Sequence, residues 1–81
     1  MKINKLVSLR MKELLKARNW TQYQLAQRSA LPLSTLSHIM RCKSHTVTLE
    51  SILNICRGFD IRLVDFFNDA QFEIENISDD D

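Results

Sequence analysis

The sequence has very little of what a turn-rich or a secreted fold needs. Its 81 residues include one glycine, one proline and two cysteines. Because β-sandwiches and barrels need frequent turns, this scarcity favours an all-α fold, and two cysteines do not imply a disulfide. No apolar run approaches the roughly 20 residues of a membrane span, and the basic N-terminus lacks a signal-peptide core. We therefore expect a cytoplasmic protein with no membrane partner.

Basic side chains are absent from residues 65–81, which carry seven acidic residues and a net charge of −7. Residues 1–64 carry all eleven Lys and Arg against three acidic residues, a net charge of +8. A compact basic body is the composition expected of a nucleic-acid-binding protein, because phosphate contacts supply most of the non-specific affinity. On charge alone, accidental clustering on a solvated surface explains the asymmetry equally well.

The most informative stretch is residues 20–41, which reads as two short helices joined by a tight turn. Thr21 and Gln24 fit a capping box, in which the two residues satisfy each other's exposed backbone donors at the start of a helix. The sequence Ser-Ala-Leu-Pro at residues 29–32 ends that helix. The next helix has an apolar stripe made by Leu36, Ile39 and Met40. Its opposite face is polar and carries Ser34, Ser37, His38 and Arg41.

This pattern resembles the lambda-repressor-like (Cro/cI, XRE-type) helix-turn-helix DNA-binding family over about residues 8–68. The resemblance is carried by residues 10–14, 21–22, 25–26, 31, 34–37, 39, 41, 49–55, 61 and 66–67. It implies a compact five-helix bundle, which we place over residues 1–69, and the composition of residues 70–81 marks them as an acidic C-terminal tail, either a dimerisation segment or a disordered one. The periodicity places helices near residues 5–18, 22–29, 33–41, 49–58 and 63–68. The fourth is broadly apolar and is expected to be the central buried helix (Leu49, Ile52, Leu53, Ile55 and Cys56).

The resemblance also implies a function, that of a sequence-specific regulator of transcription that inserts the helix at 33–41 into the major groove of double-stranded DNA. The residues expected to read bases are Leu33, Ser34, Ser37 and His38. The residues expected to contact phosphates are Thr21, Gln22, Arg41, Lys43 and Ser44. We expect a homodimer on two half-sites about 34 Å apart, acting as a repressor that blocks or redirects polymerase.

Five positions depart from the family's pattern. Relatives often have glycine in the turn and after the second helix of the motif, where this chain has Ala30 and Cys42. Leu15 and Met40 stand in place of a buried Arg–Glu pair, an exchange that is often neutral or stabilising. Arg62 stands where the fifth helix usually begins with Ser or Thr. These departures are compatible with the fold and bear mainly on the individual phosphate contacts.

Several alternatives stay open at this point. His38, Cys42 and His45 are spaced to approach one metal ion, but no fourth ligand is evident, so we expect no metal and no other cofactor. The alternation at residues 72–75 suits a short strand that pairs across a dimer or contacts a partner protein, and the acidic composition equally suits disorder. The leading alternative function is an antitoxin-type interaction module that neutralises a partner protein and also binds its own promoter. No phosphate-binding loop or oriented nucleophile indicates an enzyme.

Overall fold

The computed structural model describes residues 1–42 and 47–78, and the regular secondary structure of that part is entirely helical. The described α-helices are α1 (Ile3–Arg18), α2 (Gln22–Arg28), α3 (Leu33–Met40), α4 (Leu49–Phe59) and α5 (Leu63–Phe67). Two short 3-10 turns follow, at Ala70–Phe72 and Ile74–Asn76. The all-α five-helix prediction is confirmed, and the predicted helix ends differ from the observed ones by at most two residues.

The helix ends follow the capping chemistry of the sequence. Thr21 and Gln24 form the predicted capping box: the Gln24 N–H donates to Thr21 Oγ1 at 3.2 Å, and the Thr21 N–H donates to Gln24 Oε1 at 2.8 Å. Thr48 begins α4 by accepting a hydrogen bond from the backbone N–H of Ser51 at 3.0 Å. Asn19 ends α1 in a left-handed conformation, which asparagine tolerates better than most residues. These caps fix the end of α1 and the starts of α2 and α4.

The turn between α2 and α3 forms without a left-handed residue at position 30. Among the described residues, positive φ angles occur at Asn19, Cys42 and Asp60. Ser29 ends α2 in an extended conformation and Pro32 precedes α3 in another. Ala30 is therefore not strained by a left-handed backbone conformation. Cys42, at φ 56°, does have such a conformation, which glycine would adopt more easily.

One core receives side chains from all five helices. Its fully buried members are Met11, Leu25, Leu36, Ile55, Phe59 and Phe66. Leu15 and Met40, the positions at which the resemblance suggests a buried ion pair in many relatives, are buried apolar members of the same core. Two buried apolar side chains at these positions avoid the cost of desolvating two charges.

Helix α4 is buried along one side only. Ile52, Ile55 and Cys56 face the core, but Leu49 in the first turn is 76% exposed. The expectation of a broadly buried helix is therefore wrong for Leu49, because α4 packs on α2 and α5 and leaves this residue at the surface. Burial raises the pKa of the Cys56 thiol, with a smaller contribution from Asp65, so this cysteine is a neutral core residue.

Helix α5 begins with an ion pair in place of the usual Ser or Thr. The backbone N–H of Arg62 donates to Asp65 Oδ2 at 3.0 Å, and the Arg62 guanidinium donates to Asp65 Oδ1 at 3.1 Å. These hydrogen bonds hold the pKa of Asp65 below its ordinary value. Above the pKa that Asp65 has in the unfolded chain, these hydrogen bonds contribute their full stabilisation. The stabilisation is lost as the pH falls through the lower pKa that Asp65 has in the folded protein. Since the pair is exposed, that contribution is small.

Residues 70–78 lie against the rest of the domain. The Phe72 ring is 5.0 Å from the Phe67 ring and 6.1 Å from the Phe66 ring, measured between centroids. Gln71 Nε2 donates to the Glu13 carboxylate on α1 at 2.6 Å. The alternation at residues 72–75 therefore forms 3-10 turns rather than the strand considered above, because Phe72 packs on the rings of α5. The domain boundary at residue 69 and a role of residues 70–81 in dimerisation stay predictions. Residues 79–81 lie outside the residues that the structure describes.

The single glycine marks the crossing of α4 and α2. A Cβ atom at Gly58 would lie 2.9 Å from Leu25 Cδ1 and 3.1 Å from both Cβ and the backbone nitrogen of Ser29. Leu25 is fully buried, and the Ser29 N–H donates to the Leu25 carbonyl, so neither neighbour moves aside easily.

None of the helices in the described residues is long and apolar enough to cross a membrane.

Gly58→Ala is expected to lower the free energy of unfolding by about 1–2 kcal/mol, because overpacking outweighs the gain in helix propensity that alanine usually brings. Urea denaturation followed by circular dichroism measures this change. A more stable variant would contradict the prediction and would mean that α2 and α4 separate here at little cost.

Candidate nucleic-acid interface

Two predicted site residues from different helices are in contact. Ser37, in the middle of α3, donates its hydroxyl hydrogen to Oε1 of Gln22, the first residue of α2, at 3.1 Å. Both side chains are half-buried, and the two helices pack on each other. The start of α2 therefore lies beside the polar face of α3.

The first turn of α3 is open to solvent. Leu33 is 42% exposed although it is apolar, and Ser34 beside it is also exposed. His38, one turn further on, is exposed as well. The opposite face is buried and consists of Leu36, Ile39 and Met40, so the predicted amphipathic pattern is confirmed. The first backbone N–H groups of a helix have no intrahelical partner, and in α3 Pro32 offers them no capping side chain.

The predicted phosphate-contact residues differ in exposure and in whether their side chains already make hydrogen bonds within the protein. Thr21 is exposed, but its hydroxyl oxygen accepts a hydrogen bond from the Gln24 N–H as the N-cap of α2. Arg41 follows α3 directly and is exposed. Lys43 and Ser44 lie outside the described residues. The structure therefore places Thr21, Gln22 and Arg41 at the ends of the two motif helices.

The metal alternative involves His38, Cys42 and His45, of which His45 lies outside the described residues. Within residues 1–42 and 47–78, no group of three or more His, Cys, Asp and Glu side chains is arranged to hold a metal ion. His38 and Cys42 are both exposed.

Sequence analysis missed the surroundings of Trp20, which leads into α2. The Trp20 ring stacks on the Phe59 ring with centroids 5.6 Å apart, and the Arg28 guanidinium carbon lies 4.5 Å from the Trp20 centroid. The Arg18 guanidinium carbon lies 5.2 Å from the same centroid. These contacts tie the start of α2 to α4, so they help to fix the position of Gln22. The spacing of Trp20 and Arg28, about two helical turns, could have suggested this contact. The signal is weak, because many surface arginines lie at a similar spacing from an aromatic residue.

Comparison with known proteins identifies the family. Residues 10–71 match the family model of the Cro/C1-type helix-turn-helix DNA-binding domain. The chain belongs to this family. The matched span includes α2, α3, α4 and α5 completely, together with the C-terminal half of α1 and most of the first 3-10 turn. The resemblance on which the sequence analysis relied is therefore confirmed.

Two solved structures support the same assignment for this Cro/C1-type domain. The wild-type restriction–modification controller protein C.Esp1396I is 31% identical with a TM-score of 0.71, and a point mutant of that protein is 30% identical with a TM-score of 0.73. Each match covers 79% of this chain and 82% of the other. No curated protein sequence matches the chain. Family and fold together make the chain a DNA-binding transcription regulator and not an enzyme.

Proposed function

We propose that the protein is a sequence-specific regulator that binds double-stranded DNA as a homodimer, with α3 of each protomer in the major groove. One observation carries the proposal: α3 presents a solvent-exposed first turn, and its polar face is joined to α2 by the bond between Ser37 and Gln22. In a Cro/C1-type domain, this is the helix positioned to reach base edges.

Base readout is assigned to the exposed residues of α3. Leu33 can contact a thymine methyl group, Ser34 can donate to or accept from either kind of base, and His38 can donate to a guanine acceptor. Each such contact is expected to discriminate between bases by about 1–3 kcal/mol. Their common exposure on one short helix supports this assignment.

Phosphate contacts are assigned to residues that flank this helix. Gln22 carries a carboxamide that can donate to a phosphate oxygen, and Arg41 supplies a guanidinium at the end of α3. Thr21, Lys43 and Ser44 belong to the same proposed set. Such contacts raise the affinity for every DNA sequence alike, so they position the protein without selecting the operator.

The homodimer and the repressor role are part of the proposal. Leu63 and Val64 in the first turn of α5 are exposed apolar residues, which suit a two-fold interface between copies of the chain. A two-fold dimer would place two α3 helices on half-sites about 34 Å apart. Similarity to a restriction–modification controller protein supports a regulatory role, and repression by occupying a promoter is the simplest mechanism. A cytoplasmic location stays a prediction.

The alternative of an antitoxin-type module also stays a prediction. Residues 70–78 already contact α1 and α5, through Phe72 and Gln71 among others. Ile74, which is 84% exposed, remains available for contact with a partner protein. Copurification of a small basic protein, lost in an Ile74→Asp variant, would favour this alternative.

Binding to the gene's own upstream DNA tests the proposed function. Fluorescence anisotropy is measured with the upstream duplex and with a scrambled duplex of equal length, over a series of salt concentrations. We expect saturable binding that survives scrambled competitor and weakens steeply with salt, because bound Lys and Arg side chains release counterions. Equal binding of both duplexes at about 150 mM salt would contradict a sequence-specific regulator of this promoter.

A further inference from the structure

We propose that Ser37 is a positioning residue, which orients the carboxamide of Gln22 toward a DNA phosphate and does not itself read a base. This inference rests on the proposed function, since it assigns a role within the same DNA interface. It differs from the expectation drawn from the sequence, which placed Ser37 among the base-reading residues.

The direction of the hydrogen bond determines which end of the carboxamide is free. Ser37 Oγ donates to Gln22 Oε1 at 3.1 Å, so the oxygen end of the amide is directed toward α3. The nitrogen end carries two N–H donors, and no described residue accepts a hydrogen bond from it. A phosphate oxygen is an acceptor and requires a donor. The Ser37 bond therefore presents the end of Gln22 that a phosphate can use.

The Ser37 hydroxyl is already used in this contact. A serine hydroxyl has one hydrogen to donate, and Ser37 donates it to Gln22. Ser37 is half-buried between α2 and α3, whereas Ser34, one turn earlier on α3, is exposed, and the hydroxyl that bonds Gln22 is that of Ser37. The two serines of α3 thus have different surroundings, and we assign them different roles.

The backbone of Gln22 is fixed independently of Ser37. The Thr21–Gln24 capping box defines the start of α2, and the Trp20 ring stacks on Phe59 immediately before it. What remains free to move is the side chain of Gln22, which has three rotatable bonds. The Ser37 hydrogen bond removes this freedom before DNA arrives, so less entropy is lost on binding.

Ser37→Ala is expected to weaken DNA binding by about three- to tenfold, the effect of one lost hydrogen bond, and to do so equally for the upstream and the scrambled duplex. Preference among operator variants with single base changes should stay as in the wild type. Ser37→Thr keeps the hydroxyl and should restore most of the affinity. Anisotropy titrations with both duplexes measure these effects.

Ser34→Ala is the matched control, because it removes the same hydroxyl from an exposed position on the same helix. It should alter base preference at one position of the operator. A double-mutant cycle supplies the second test: Ser37→Ala added to Gln22→Ala should cause little further loss, since the residue that it positions is already gone.

A measurement without DNA separates this proposal from a general structural role. In the free protein, Ser37→Ala should shift the side-chain NH₂ resonances of Gln22 in a ¹H–¹⁵N spectrum and leave the melting temperature nearly unchanged. A changed base preference, additive losses in the cycle, or unshifted Gln22 resonances would each overturn the positioning role alone. If the wild-type protein bound neither duplex, the proposed function would fail and this role with it.

Discussion

Replacement of Ser34 by glutamate is expected to abolish specific DNA binding while the fold stays intact. Ser34 is exposed in the first turn of α3, which in the proposed complex lies in the major groove. A carboxylate there would face the phosphates of both strands. Because juxtaposed like charges cost several kcal/mol, we expect a loss of at least about 100-fold in affinity. Anisotropy with the upstream duplex measures the loss.

The same substitution should not destabilise the protein. A negative charge in the first turn of a helix interacts favourably with the helix dipole, by about 0.3–1 kcal/mol at an exposed position. Thermal unfolding should therefore show an unchanged or slightly higher midpoint. The opposite effects on stability and on binding distinguish lost DNA contact from misfolding.

Ala17→Glu is the control for net charge. Ala17 is exposed near the end of α1, and the substitution changes the net charge by the same amount. We expect it to reduce affinity only modestly, through the weaker overall attraction to DNA. If both variants lost affinity to the same extent, the effect would come from net charge and not from the placement of α3 in the groove.

Local chemistry explains why so much of the fold could be predicted. The start of α2 depends on Thr21 and Gln24, which are three residues apart, and the end of α1 depends on the tolerance of Asn19 for a left-handed conformation. The buried face of α3 follows from the spacing of its apolar residues. Each of these features is decided within one or two helical turns, so the sequence contains the necessary information.

Features that depend on how helices cross could not be predicted. The spacing of apolar residues suggested that α4 is buried broadly, yet Leu49 in its first turn is largely exposed. Phe72 packs on Phe66 and Phe67, and residues 72–75 do not form the strand that their alternation suggested. In both cases the outcome depends on how segments pack in space, and single-sequence periodicity carries no information about that packing.

The candidate site was predicted unevenly for the same reason. Exposure of Leu33, Ser34 and His38 follows from the amphipathic pattern of α3. The contact between Ser37 and Gln22 depends on the crossing of α2 and α3, which the buried side chains set. Sequence analysis therefore grouped Ser37 with the other polar residues of α3, and only the crossing distinguished it.

The short helix α5 depends on Arg10 from the other end of the chain. Arg10 Nε donates to the Phe66 carbonyl at 2.7 Å, and Nη2 donates to the Asp65 carbonyl at 2.7 Å. Nη1 lies 3.6 Å from Asp69 Oδ2. The last carbonyls of a helix have no intrahelical partner, and five residues are too few to form a stable helix alone. Arg10 therefore acts as a cap supplied by α1.

Arg10→Ala is expected to lower the free energy of unfolding by about 3 kcal/mol, because it leaves two carbonyls and a carboxylate without their partner. The Arg10 side chain is only 16% exposed, so water replaces these hydrogen bonds incompletely.

Arg10→Lys keeps the charge but has a single nitrogen, so its free energy of unfolding should fall by an intermediate amount. Arg62→Gln breaks an exposed pair at the start of the same helix and should change stability much less. Urea denaturation of the three variants measures the order, and an Arg10→Ala variant as stable as Arg62→Gln would show that α5 is held by its apolar contacts alone.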